Sequence, residues 1–154
     1  MKIQLWWIGK TQVPYIDKGI QDYAQRIQRF ENFSTYTLSP KRHTNPDNQR
    51  QAEGDAVLSK LASSDYVVLL DERGSQISSQ DFAAFVDQKK MQRIKNLVFL
   101  IGGAFGFSRS VYVRADKRIA LSSMTFPHDL VRLLFLEQLY RAITITRNHP
   151  YHHN

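Results

Sequence analysis

Three short runs along the chain are almost wholly apolar: Ile3 to Ile8 (interrupted by Gln4), Tyr66 to Leu70, and Leu97 to Ile101. Each has the length of a buried strand, and each is closed by a residue type that favours a turn: Gly9, Asp71 or Gly102. Elsewhere the period changes. Ile16, Ile20, Tyr23, Ile27 and Phe30 recur at spacings of 4, 3, 4 and 3, which puts them on one face of a helix that Pro14 is suited to start. Phe33, Tyr36 and Leu38 mark a weaker strand, followed by a polar loop from Pro40 to Asn48 and a helix over about 46–62 that Gly54 weakens. Asp71 to Gly74 reads as a turn, and Ser79 as the cap of a helix carrying Phe82, Phe85 and Val86. A helix over 108–114 and a strand over 119–121 come next.

From Asp129 to Ile145 the pattern is different again, because apolar residues occupy nearly every side of the helix. A surface helix presents one apolar stripe, so this one is expected to lie on a sheet and to be covered on a further side by a second copy of the chain. The order βαβαβαβαβα, without a repeat or a linker, predicts one α/β domain over 1–154 with a largely parallel sheet and helices on both faces. Sheets of this kind bind ligands beyond the carboxyl ends of their strands. That singles out 71–74, 102–107 and 122–128.

Over 154 residues the composition is 42% hydrophobic and 23% charged. Those proportions are ordinary for a globular chain and exclude a disordered tail or a coiled coil. No apolar run nears the ~18 residues of a membrane span, and the start has no signal-peptide pattern, so neither insertion nor export is expected. The absence of Cys removes thiolate metal sites and Cys nucleophiles and fits a cytoplasmic location. The net charge is +7 and is uneven: residues 1–77 hold 10 basic and 9 acidic groups, residues 78–154 hold 11 and 5. A polyanion such as RNA would meet the second half.

Gly102, Gly103 and Gly106 follow a buried strand and precede a helix, where backbone amides can approach a ligand. The spacing is neither a dinucleotide fingerprint nor a Walker loop, which leaves a tight turn as the competing reading. Ser122 to Asp129 is a polar stretch whose hydroxyl and backbone groups can bond an adenine edge while Met124 and Phe126 pack on its faces. The tail from Arg147 to Asn154 is either a solvated end or a functional segment, since Arg, His and Tyr suit phosphate contact, proton handling and base stacking. Its three His lack a well-placed acid, so no metal site is expected. Paired carboxylates and nucleophile elbows are missing, which leaves hydrolase chemistry without support.

Several strings in one order resemble the RlmH-type SPOUT methyltransferases: Leu70-Asp71 with Gly74, Leu100 to Gly103 with Gly106 and Ser108, Leu121 to Thr125, Pro127-His128, Leu130 to Arg132, Leu139 to Ala142, and Asn148 to His152. That family methylates N3 of a pseudouridine in large-subunit ribosomal RNA with S-adenosylmethionine. The resemblance implies a trefoil-knotted fold, a homodimer, and a cofactor bound in the knot; a catalytic core of 154 residues leaves no room for an appended RNA-binding domain, so the assembled ribosome is expected to present the target. The resemblance also implies that Leu70, Asp71, Gly103, Ser122, Ser123, Met124, Thr125, Phe126 and Pro127 line the cofactor site, and that His128, Arg141, Tyr151 and His152 lie nearest the target base. Ala104, Phe105 and His153 depart from residues common in the family. Loss of the imide proton calls for His152 or His128 as acceptor and Arg141 as electrostatic partner. The competing readings are a non-catalytic RNA-binding module and, less favoured, a nucleotide-dependent oxidoreductase.

Overall fold

A computed structural model describes residues 1–153. Within it, strands β1 (Lys2–Ile8), β2 (Asn32–Leu38), β3 (Tyr66–Gln76), β4 (Asn96–Ile101) and β5 (Lys117–Ala120) alternate with helices α1 (Pro14–Gln28), α2 (Pro46–Leu58), α3 (Ser79–Met91), α4 (Arg109–Arg114) and α5 (His128–Thr146). The strands form one sheet in the order β2-β1-β4-β3-β5, parallel throughout. Parallel pairing needs a crossover between strands, and each helix from α1 to α4 supplies one. The α/β class expected from the sequence is the class observed.

Side-chain alternation along the strands divides the core in two. Ile3, Leu5, Trp7, Leu97 and Phe99 pack under α1, α3 and α5, whereas Trp6, Val67, Val98 and Leu100 pack under α2 and α4. Helix α5 lies between α1 and α3. Phe135, Leu136, Leu139 and Ile143 are fully buried there, and Leu130, Val131, Leu133 and Leu134 remain half-buried.

Three local readings change. Asp71 to Gly74 is not a turn but part of β3, which pairs with β5 at Val68–Leu70, shifts register, and rejoins it at Ser75 and Gln76. The extension carries Asp71 past the end of β4. Helix α3 is capped by Ser78 in a box with Asp81, because the hydroxyl of Ser79 instead donates to Gln138 of α5 at 2.7 Å. Helix α2 ends at Leu58, earlier than expected, yet Gly54 does not weaken it: a Cβ there would lie 2.2 Å from Ser108 Oγ, so the missing side chain lets α2 close on α4.

The start of α5 has no side-chain cap of its own. Asp129 in its first turn instead accepts from the backbone amides of Gln12 at 2.7 Å and Val13 at 3.1 Å. Arg132, 3% exposed, bonds Ile8 O at 2.8 Å and Thr11 Oγ1 at 2.9 Å and pairs with Asp129 at 3.4 Å. Burial lowers its pKa from the ordinary guanidinium value, with Asp129 opposing. This charged cluster fixes the entry of α5 against the end of β1.

Candidate active site

The carboxyl ends of β4 and β5, with the middle of β3 where it runs past β4, open onto a cavity of about 930 Å³. Leu70 and Asp71 come from β3, Gly103 from the segment after β4, and Ser122, Met124, Thr125 and Phe126 from the segment after β5, with His128 at the head of α5. Ser123 and Pro127 belong to the same segment without lining the space: Ser123 is exposed, and Pro127 precedes α5 and takes Val131 N on its carbonyl at 3.1 Å. The hydroxyl of Ser122 accepts from Met124 N at 3.0 Å, which bends the segment and leaves Met124 73% exposed.

Asp71 is held on both oxygens. Oδ2 accepts from the Tyr112 hydroxyl at 2.6 Å and Oδ1 from Arg73 N at 3.0 Å. Burial, reinforced by the bond to Asp71, pushes the Tyr112 phenol up to about 12, so it stays a neutral donor through the physiological range. Arg50, Arg73 and Arg109 border the same cavity, a cationic rim suited to a polyanion. The sequence reading covered Arg73 only as part of 71–74, with no role for it, and missed Arg50, Arg109 and Tyr112. Three basic side chains from three separated segments leave no spacing signal.

Gly103 has a specific neighbour. A Cβ on it would lie 2.5 Å from Glu53 Oε2, and Glu53 is 6% exposed with Oε2 unpartnered. An unpartnered buried oxygen typically costs ~1–3 kcal/mol, and the contact with Gly103 makes no hydrogen bond to offset that cost.

Arg141, Tyr151 and His152 gather at the opposite end of α5 from His128. After α5 the chain turns back at Asn148, whose φ is 52°, and His149 N bonds Thr144 O at 2.9 Å. The Tyr151 ring meets Tyr140 edge-on with centroids 4.8 Å apart, and its hydroxyl lies 3.1 Å from both Tyr23 Oη and Glu137 Oε1. Glu137 also pairs with Arg141, whose guanidinium stacks 5.0 Å over Tyr151. Burial first, then the bond to Tyr23 and the charge of Glu137, raise the Tyr151 pKa; the bond to Glu137 raises that of Arg141. The tail is therefore anchored through Tyr151 and His152, and Asn154 lies outside the described residues. Tyr23 and Glu137, absent from the sequence reading, complete this cluster.

Arg141 Nη1 lies 3.3 Å from His152 Nδ1. A guanidinium only donates, so Nδ1 is the acceptor and a neutral His152 carries its proton on Nε2. Within one chain Arg141 of this cluster stands more than three turns of α5 after His128, roughly 20 Å along the axis at about 1.5 Å per residue. Among the described residues no group of His, Asp and Glu is arranged to hold a metal ion. No helix there is long and apolar enough to cross a membrane.

A family model described as "Predicted SPOUT methyltransferase" matches residues 1–152. Among similar proteins is one from Christiangramia forsetii named Ribosomal RNA large subunit methyltransferase H, 44% identical, the alignment covering 99% of each chain. Proteins of the same name from Trichlorobacter lovleyi and Cytophaga hutchinsonii are 42% and 44% identical, over 99% of this chain and 100% of theirs.

Proposed function

The chain belongs to the SPOUT methyltransferase family, and on that premise we propose that it methylates N3 of a pseudouridine in large-subunit ribosomal RNA, using S-adenosylmethionine. In this reading it works in the cytoplasm as a homodimer on the assembled ribosome. The observation that carries the reading is the cavity at the ends of β4 and β5 and the middle of β3. Its size lies within the range usual for small-molecule sites, roughly 300 to roughly 1000 Å³. The name shared by the full-length relatives supports the choice of RNA. The trefoil threading implied by the family resemblance belongs to the same proposal.

The residues fit the cofactor. Leu70 and Phe126 offer apolar surface for a flat base, and the bare Cα of Gly103 allows close approach. Asp71, oriented by Tyr112, offers a carboxylate to hydroxyl or cationic groups. Ser122, Ser123, Met124, Thr125 and Pro127 complete the enclosing segment. When bound, S-adenosylmethionine supplies a methyl group on a sulfonium. The chain then has to hold the target nitrogen in line, exclude water and take up the imide proton.

His128 borders the cavity and is assigned as proton acceptor, because the acceptor nitrogen of His152 is engaged by Arg141. Arg141, Tyr151 and His152 position the base and stabilise negative charge developing on it. The separation of Arg141 from His128 along α5 supports a reading in which the tail of one protomer serves the cavity of the other, with the half-buried apolar side of α5 in the contact. The test is incubation with methyl-labelled S-adenosylmethionine and large ribosomal subunits lacking the modification. Label in RNA is expected; unlabelled RNA under conditions where the cofactor binds would overturn the reading.

A further inference from the structure

Glu53 belongs to α2, outside the cavity, yet it is among the most buried polar residues of the chain. Its orientation is built. The backbone amide of His43 donates to Gln49 Oε1 at 2.7 Å, and Gln49 Nε2 donates to Glu53 Oε1 at 2.8 Å. The other oxygen, Oε2, has no hydrogen-bond partner and is turned on Gly103, at which a Cβ would lie within 2.6 Å of both carboxylate oxygens. One turn earlier in α2, Arg50 Nε donates to Phe105 O at 2.9 Å. One residue later, Gly54 lets Ser108 close in. Three neighbouring positions of one helix thus hold the segment 103–108, which also borders the cavity.

We propose that Glu53 is a positioning residue for this segment: its volume, held in place by Gln49, sets where the backbone of Gly103 stands and so shapes the cofactor site without touching the cofactor. The inference rests on the reading that the cavity takes S-adenosylmethionine. Volume is the operative property, since the contact with Gly103 is made by packing and the free oxygen bonds nothing. Gly103 and Glu53 are then coupled sterically. A side chain at 103 displaces the carboxylate, and loss of the carboxylate leaves the segment slack.

Calorimetric titration of the full chain with S-adenosylmethionine, beside thermal melting, tests this. Glu53→Ala should weaken binding about tenfold, and the near-isosteric Glu53→Gln should stay within about threefold of the parent. Gly103→Ala should weaken it at least about tenfold, and the double variant Gly103→Ala with Glu53→Ala should bind more tightly than Gly103→Ala alone, the non-additivity expected of residues in contact. Unchanged affinity in Glu53→Ala with only a lowered melting temperature would overturn the proposal, as would equal losses in Glu53→Ala and Glu53→Gln. If Gly103→Ala does not fold, those two variants decide alone. A parent chain that binds no cofactor would overturn the reading of the cavity and this inference with it, whereas loss of the coupling in a chain that binds well overturns the inference only.

Discussion

The hydroxyl of Tyr112 donates to Asp71 at 2.6 Å, joining the short helix α4 to the point where β3 runs past the end of β4. Folding raises the phenol from 10.0 to about 12. Burial first, and then the bond to Asp71, favour the neutral phenol in the folded chain, so the stability they contribute is complete below about pH 10 and is lost as pH rises through about 12. Tyr112→Phe should therefore cost about 1 kcal/mol in denaturant unfolding at neutral pH, the site being partly exposed. The parent should lose stability across that alkaline window while Tyr112→Phe does not, so the gap should close there.

Arg132 is a buried cation with three partners at the entry of α5. Arg132→Ala leaves Asp129 without its cation and the carbonyl of Ile8 without its donor. Breaking such a pair by removing one partner typically costs ~3–5 kcal/mol, so chemical denaturation should show a loss of that size. A loss below about 1 kcal/mol would show that the arginine is dispensable to the fold.

Leu134 is half-buried on α5 and lies outside the packed cluster formed by α1, α3 and α5. In the dimer reading it belongs to the contact between copies. The chain has a mass of 17.9 kDa. Sedimentation at low micromolar concentration should give roughly twice that mass. Leu134→Lys should shift the chain toward monomer and abolish methyl transfer. A fully active monomer would contradict a site shared between copies.

Removal of residues 151–154 takes away Tyr151 and His152 but no residue that lines the cavity. Cofactor affinity should stay within about threefold, while methyl transfer falls by ~10²–10⁴, the scale of lost positioning and electrostatic help. Calorimetry and a radiolabel assay on the same preparation check both halves. Equal loss of binding and transfer would place the tail in the cofactor site of its own chain.

The fold was legible because its core strands are contiguous apolar runs; the short length of 66–70 and 97–101 and the turn-favouring residues that close them point to buried strands. The cavity segments were legible for a topological reason, since parallel sheets bind at strand ends. What escaped depends on contacts between distant segments. Glu53 reads as one more polar residue of an exposed helix, and its burial follows only when Gly54 meets Ser108 and Gly103 meets the carboxylate. A glycine beside an acid in mid-helix is the one local sign. The tail composition suggested a solvated end, whereas Tyr23 and Glu137, remote in sequence, anchor it. The distance between His128 and the tail was likewise invisible until α5 proved continuous from His128 to Thr146.

The chemistry itself is tested most directly by locating the transferred methyl group. Large subunits lacking the modification are incubated with the chain and S-adenosylmethionine, and the RNA is digested to nucleosides and fragments for mass spectrometry. A single methyl group on N3 of one pseudouridine is the predicted result. A methyl group on a ribose, on another base or on ribosomal protein would contradict it.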